Sequence, residues 1–278
     1  VAGPLFWGVR VVIRGGGDLG SGVAYRLHRC GFPVLITELE QPLLVRRTVA
    51  FGSAAVQDEI EVEGVTARRV MEVDGALTAQ AAGEIPVLVD PEARWLTEYD
   101  PAVLVDARML KRSPGSQPVG MLMVIGLGPG FTAPVNCDAA VETNRGHYLG
   151  RVIWEGAPEP DTGVPGRVGS HVVARVLRAP VEGEVSSLVA IGDAVEGGQL
   201  VAAVGGVSVR APFDGVLRGL VHDGITVPAG VKIGDVDPRG DPAYCFAISE
   251  KALAVGGGVL EAILSYRPIQ ELIAGRLT

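Results

Sequence analysis

Three glycines, Gly15, Gly17 and Gly20, stand at G-x-G-x-x-G spacing after the apolar run Val11-Val12-Ile13. An amphipathic stretch follows, with Leu19, Val23, Ala24 and Leu27 at helical spacing. Placed between strand and helix, such glycines allow a tight turn, close approach of the backbone to a pyrophosphate, and close packing of helix on strand. The orphan N–H groups and positive dipole end of the helix then face the anion. Gly15, Gly16, Gly17, Asp18, Leu19 and Gly20 are therefore candidate nucleotide-binding residues. Asp18 is the dissonant one: it could cap the helix, but a carboxylate beside a pyrophosphate is repulsive. A second run, Val34-Leu35-Ile36-Thr37, ends at Glu38, 18 residues beyond Gly20. There an acid would accept a hydrogen bond from a ribose hydroxyl.

Further along, Arg46 and Arg47 read as a basic turn that could hold phosphates or a substrate carboxylate, or simply face water. Arg108, Lys111 and Arg112 put three cations in the loop after Val103-Leu104-Val105-Asp106. Gly126, Gly128 and Gly130 form a second glycine loop after Met121–Ile125, although Pro129 removes one N–H from any anion nest. Beyond it lie Asp138, Glu142, Arg145 and His147. Asp138 and Glu142 are four apart and would share one helix face. With His147 they are the candidate catalytic group, for proton transfer or a metal. Their spacing matches no known metal signature, so no metal is assigned, and a capped helix with a solvated charged face is the plain alternative.

Short apolar runs at 86–90 and 102–106 read as buried parallel strands, each closed by an aspartate. If Ala102–Asp106 and Met121–Ile125 share one sheet with Val11–Ile13, the basic loop of Arg108, Lys111 and Arg112 and the group Asp138, Glu142, Arg145 and His147 line one pocket with the glycine turn. Residues 157–166 are rich in turn formers and read as an interdomain connection.

From there the chain changes to short strands and glycines, and it repeats. Arg178-Ala179-Pro180-Val181-Glu182-Gly183 matches Arg210-Ala211-Pro212-Phe213-Asp214-Gly215 at an offset of 32 residues, and Val195–Gly198 matches Val227–Gly230 at the same offset. The pattern resembles the biotinyl/lipoyl-like domain, a flattened barrel of two quasi-symmetric halves. The resemblance implies a lysine on the hairpin joining the halves of a carrier. Here that hairpin, 203–209, has none, and Lys232 lies in the second half. Neither biotin nor lipoate is expected. Ser249 then caps a helix expected over 250–265, which carries Gly256-Gly257-Gly258 at about 1 kcal/mol per glycine relative to alanine. Close packing or a kink must compensate.

The chain has 278 residues, 47% of them apolar, and a formal net charge of −8. The charge argues against a general affinity for nucleic acid or anionic membrane. No run reaches the roughly 18 apolar residues of a membrane span. The opening residues do not read as a secretory leader, and Cys30, Cys137 and Cys245 suggest neither a disulfide framework nor a zinc site. A cytoplasmic setting is expected.

Several stretches together resemble the selenium-dependent molybdenum hydroxylase accessory proteins of the YqeB type. They are Val12–Leu19, Arg46–Phe51, Val105–Met109, Ile125–Phe131, Glu142–His147 and Gly257–Ala262. The resemblance implies a cytoplasmic factor that helps mature hydroxylases of the xanthine dehydrogenase type, with that hydroxylase or its maturation machinery as partner. It supplies no catalytic residues.

The expected architecture is α/β: a Rossmann-like parallel-sheet domain over 1–166, a barrel-sandwich hybrid over 167–237, and a segment 238–278 whose helix returns to the first domain. The leading functional expectation is an accessory factor binding a nucleotide or dinucleotide, either NAD(P) or the nucleotide part of a molybdopterin dinucleotide. An NAD(P)-dependent oxidoreductase, with His147 or Tyr148 as proton donor, and a non-catalytic docking module are the alternatives.

Overall fold

The computed structural model describes residues 3–115, 120–160 and 175–277. The chain divides into two units. One comprises Val1–Glu40, Phe51–Asp161 and Ile248–Thr278; the other comprises Gln41–Ala50 and Thr162–Ala247. The first is mixed α/β, and the second is built on antiparallel sheets. Residues 41–50, which the sequence reading keeps in the first domain, group with the second. So do residues up to 247. The connection expected over 157–166 falls partly outside the described residues.

In chain order the first unit contains β1 (Val11–Arg14), α1 (Asp18–Arg29), β2 (Val34–Glu38), α2 (Ala54–Gln57), β3 (Glu59–Val62), β4 (Val65–Val70), α3 (Val73–Ala81) and β5 (Ile85–Val89). There follow α4 (Leu96–Tyr99), β6 (Val103–Asp106), β7 (Met123–Leu127), β8 (Ala139–Val141), β9 (Val152–Ile153), α5 (Glu250–Ser265) and α6 (Arg267–Leu277). Its strands form one sheet of order β3-β4-β5-β2-β1-β6-β7-β8-β9. From β4 to β8 every pairing is parallel, and only the edge strands β3 and β9 run antiparallel. The order reverses at β1, which pairs with β2 on one side and β6 on the other. β1, β2 and β6 are nearly continuous apolar runs because helices and loops cover both faces of a central parallel strand. Val12, Leu35, Leu88 and Leu104 pack with Val73, Ala76 and Ala79 of α3. Each fully buried aliphatic side chain contributes about 1.5–3 kcal/mol.

The helix expected over 250–265 is present over that span, capped by the Ser249 side chain, which accepts from the Ala252 amide. Its glycines explain their own presence. A Cβ on Gly256 would sit 2.6 Å from the Gly22 carbonyl oxygen, and one on Gly258 would sit 2.2 Å from that of Gly150. Gly22 meets Ala252 in the same way, at 2.5 Å. Contacts that climb together, Gly22 with Ala252 and Arg26 with Gly256, make α1 and α5 parallel neighbours. Their first turns lie side by side. Close packing, not a kink, offsets the glycine cost.

In the second unit the 32-residue repeat becomes structure. The first copy holds β10 (Val176–Arg178), β11 (Gly183–Ser187), β12 (Ala194–Val195) and β13 (Leu200–Val204). The second holds β14 (Val207–Arg210), β15 (Gly215–Leu220), β16 (Thr226–Val227) and β17 (Lys232–Asp237). They assemble as two four-stranded sheets, β10-β17-β15-β12 and β14-β13-β11-β16. Replacing each strand by its counterpart in the other copy converts one sheet into the other. Each sheet thus takes two strands from each copy, and a core of Val185, Val201, Leu217, Leu220, Ile233 and Val236 fills the unit.

Candidate functional site

The carboxyl ends of parallel strands share one edge, so the loops after β1, β2, β6, β7 and β8 gather there. At its centre is the glycine turn. Gly15 has φ +97°, a backbone conformation that favours glycine, and Gly17 is the N-cap residue of α1. Asp18 does not cap the helix; it is the first helical residue. A Cβ on Gly20 would lie 2.0 Å from the Gly15 carbonyl oxygen, so helix and turn are in direct contact. Leu19 is buried beneath this first turn. On the β6 side, the position of a Cβ on Gly15 is 3.4 Å from both the Ala107 carbonyl oxygen and the Arg108 nitrogen.

On the β2 side the turn is already occupied by protein. The Gly16 amide donates to Glu38 Oε2 at 2.7 Å, and the Leu39 amide donates to Oε1 at 2.8 Å. The Gly52 amide donates to the Gly16 carbonyl at 2.9 Å, while Ser21 Oγ donates to the same carbonyl and accepts from the Phe51 amide. A Cβ on Gly16 would meet Gly52 at 2.6 Å. Glu38 is buried under this clasp, and burial pushes its carboxyl pKa up against the pull of the two amides. Oε2 thus serves the glycine turn and Oε1 the amide of the next residue, Leu39.

The cations expected to hold an anion are placed differently from one another. Arg108 is clamped to buried Asp106, Nε to Oδ1 at 2.9 Å and Nη2 to Oδ2 at 2.5 Å, a bond that raises its pKa. Lys111 and Arg112 are exposed in the same loop. Arg46 and Arg47 belong to the second unit, where the Arg46 guanidinium donates to the carbonyls of Tyr244 and Ala247. Arg145 pairs with Glu250 at the head of α5. The second glycine loop serves packing. The ring of Phe131 lies against Gly126, the Gly128 amide donates to Val141, and Gly130 abuts the carbonyls of Leu110 and Arg112.

The carboxylate group does not assemble as a helix face would place it. Ala139–Val141 is strand β8, so Asp138 and Glu142 lie at opposite ends of it, about 13 Å apart at strand rise. Asp138 Oδ2 accepts from the Val124 amide near the start of β7. Glu142, buried at the carboxyl edge, accepts from the amides of Asn144 and Glu159. His147 is exposed and meets Tyr148 edge-on. Among the described residues no group of three or more His, Cys, Asp and Glu is arranged to hold a metal.

One residue at this edge escapes the sequence pattern. Lys251 is the second residue of α5, beside the first turn of α1, and Asp18, Glu142, Arg145 and Glu250 act on it electrostatically. Burial, then Arg145, lowers its pKa. No carboxylate among the described residues forms an ion pair with it. Nothing local marks it, because its place follows from packing between helices 230 residues apart.

Comparison with known proteins adds relatedness. No family model matches the chain. Over 254 residues, 91% of the chain, it is 47% identical to the uncharacterized protein YqeB of Escherichia coli (strain K12). The chain spans about half the length of that relative, 47%. A solved structure, an aspartoacylase family protein from Mesorhizobium loti, covers 82% of the chain and 84% of its own at 12% identity, with a TM-score of 0.26. At that score the likeness carries no argument about fold or activity. No helix among the described residues is long and apolar enough to cross a membrane.

Proposed function

We propose that the chain is an accessory factor of a molybdenum hydroxylase and binds a nucleotide through its phosphates at the Gly15–Gly20 turn. The carrying observation is the position of that turn where the strand order reverses, with the first turns of parallel α1 and α5 side by side and Lys251 within electrostatic reach of Asp18. The order β5-β2-β1-β6-β7-β8 corresponds to the doubly wound Rossmann-like order, whose ligands sit at such a reversal. Two helix heads favour an anion, and the Lys251 ammonium offsets the Asp18 carboxylate that opposes one. Because the Gly52 clasp fills the β2 side, the phosphates take the crevice on the β6 side, beside Ala107.

The hydroxylase assignment rests on the stretches resembling that accessory family and on relatedness to YqeB. In this reading the second unit is a barrel-sandwich hybrid without a carrier role, because its β13–β14 hairpin turns through Gly205 and Gly206 and offers no lysine.

Native mass spectrometry of the full chain, followed by calorimetric titration with NAD, ATP and CTP, tests the nucleotide reading. One saturable site is expected. Gly17 has φ −71°, which any residue adopts, so Gly17→Val adds bulk at the phosphates without backbone strain. A folded Gly17→Val variant that binds as wild type overturns the reading, as does wild type with no retained nucleotide and no heat.

A further inference from the structure

Gly16 is held by the two ends of one excursion of the chain. Its amide donates to Glu38 Oε2 at 2.7 Å, and its carbonyl accepts from the Gly52 amide at 2.9 Å. Between these two contacts the chain leaves the first unit, since Gln41–Ala50 belong to the second. The departing end is tied at the glycine turn through Glu38. The returning end is tied there through Gly52 and through Phe51, whose amide donates to Ser21 Oγ at 2.7 Å.

The middle of the excursion is seated in the second unit. Thr48 Oγ1 donates to the Cys245 carbonyl at 2.6 Å, and Arg46 donates to the carbonyls of Tyr244 and Ala247, both at 2.9 Å. Val45 packs against the core of that unit and lies close to β15, where a Cβ on Gly219 would sit 2.6 Å from the Val45 carbonyl oxygen. Thr48 lies in a single turn, Arg47–Val49, and Ala50 alone parts that turn from Phe51. Each residue spans at most about 3.6 Å, so the link from seat to clasp has little slack. The partners of the seat lead the same way. Ala247 is followed by Ile248, whose amide donates to Glu63 Oε1 at 2.7 Å, and by Ser249, the cap of α5.

We infer that Gln41–Ala50 is a strap through which the second unit governs the glycine turn. Seated, it keeps Gly16 clasped and its amide spent on the Glu38 carboxylate. Unseated, it opens the β2 side of the turn and returns that amide as a donor for an anion, as in other glycine-rich turns. Such control acts on the turn itself, whether or not a nucleotide binds there. Coupling of this kind is reciprocal, so loosening the clasp must also loosen the seat.

Amide hydrogen exchange of the full chain without ligand, read residue by residue by NMR, tests the strap. Thr48→Val removes the bond to Cys245 with little change of shape, and Gly219→Ala drives a methyl onto the Val45 carbonyl. Each should speed exchange of the Gly16, Phe51 and Gly52 amides by roughly three- to tenfold, the scale of one hydrogen bond in a local opening, while the β7 amides keep their wild-type rates. Ser21→Ala, which breaks the clasp, should in turn speed the Val49 and Ala50 amides, which donate to Arg46 and Arg47 within the strap. If Gly219→Ala does not fold, Thr48→Val carries the test. Clasp amides at wild-type rates in Thr48→Val overturn the strap, as does equal acceleration of the clasp and β7. Val49 and Ala50 amides unmoved in Ser21→Ala overturn it as well.

Discussion

Glu38 Oε2 accepts the Gly16 amide at 2.7 Å, so the acid at the end of β2 is bound to the very turn whose ligand it was expected to share. The bond explains why a carboxylate is kept in a buried position. It satisfies a buried amide of the glycine turn, and the second oxygen accepts from the Leu39 amide.

Glu38→Gln replaces one acceptor oxygen by a donor facing an amide. It should destabilise the fold by about 1–3 kcal/mol, the usual cost of an unsatisfied buried donor. The folded pKa of Glu38 is raised, with burial the leading cause. The native state then holds its proton more tightly than the unfolded chain, and that contribution is present below the unfolded value of 4.5 and lost as pH rises through the folded pKa. The stability gap between wild type and Glu38→Gln should therefore widen on acidification from pH 7.5 to 5 in urea titrations. A gap that narrows contradicts the burial account.

The three consecutive glycines of α5 should separate cleanly. Nothing lies within 4 Å of a Cβ on Gly257, so Gly257→Ala should stabilise by about 0.5–1 kcal/mol through helix propensity. Gly258→Ala forces a methyl onto the Gly150 carbonyl and should cost about 1–3 kcal/mol. Equal effects at the two positions in denaturant titrations would show that α5 does not pack as described.

Lys251→Met should leave the fold intact and lower nucleotide affinity by roughly tenfold or more, the scale of one hydrogen bond to a charged group. Since burial lowers the pKa of Lys251, wild-type affinity should fall on raising the pH through that value, and the variant should lose this dependence. Calorimetry across an alkaline pH series reads both. Identical pH profiles for the two proteins would remove Lys251 from the site.

How much of this was legible in the chain depends on how local each feature is. The glycine turn, β1 and α5 were legible because apolar runs, glycine spacing and the Ser249 cap are signals a few residues long. The repeat was legible because two copies can be compared directly. The Asp138–Glu142 pair reads as a helix face but is not one, because Ala139–Val141 suits helix or strand, and pairing with β7 decides for strand. The grouping of Arg46 with residues near 245, and of Lys251 with Asp18, arises from tertiary contacts that leave no mark in either segment.

His222, buried in the second unit, has its pKa lowered from 6.5 to about 4, mainly by burial and then by Arg47. The native state therefore binds fewer protons than the unfolded chain between these values, and stability declines as pH falls through that window. An imidazole titrating near 4 by NMR is expected, with the decline reduced in His222→Gln. A midpoint near 6.5 would show that the ring is solvated.

The parallel seam between α1 and α5 also dictates a schedule. Gly22 leaves the ribosome some 230 positions ahead of the residues that cover it, Ala252 and Gly256. Until then α1 presents a bare glycine-lined flank, and contacts so distant in sequence are slow to close. The antiparallel unit, encoded between them, has its repeat complete before α5 exists. During synthesis the nascent sheet waits with one flank open, which makes that flank a natural point for chaperone capture or misassembly.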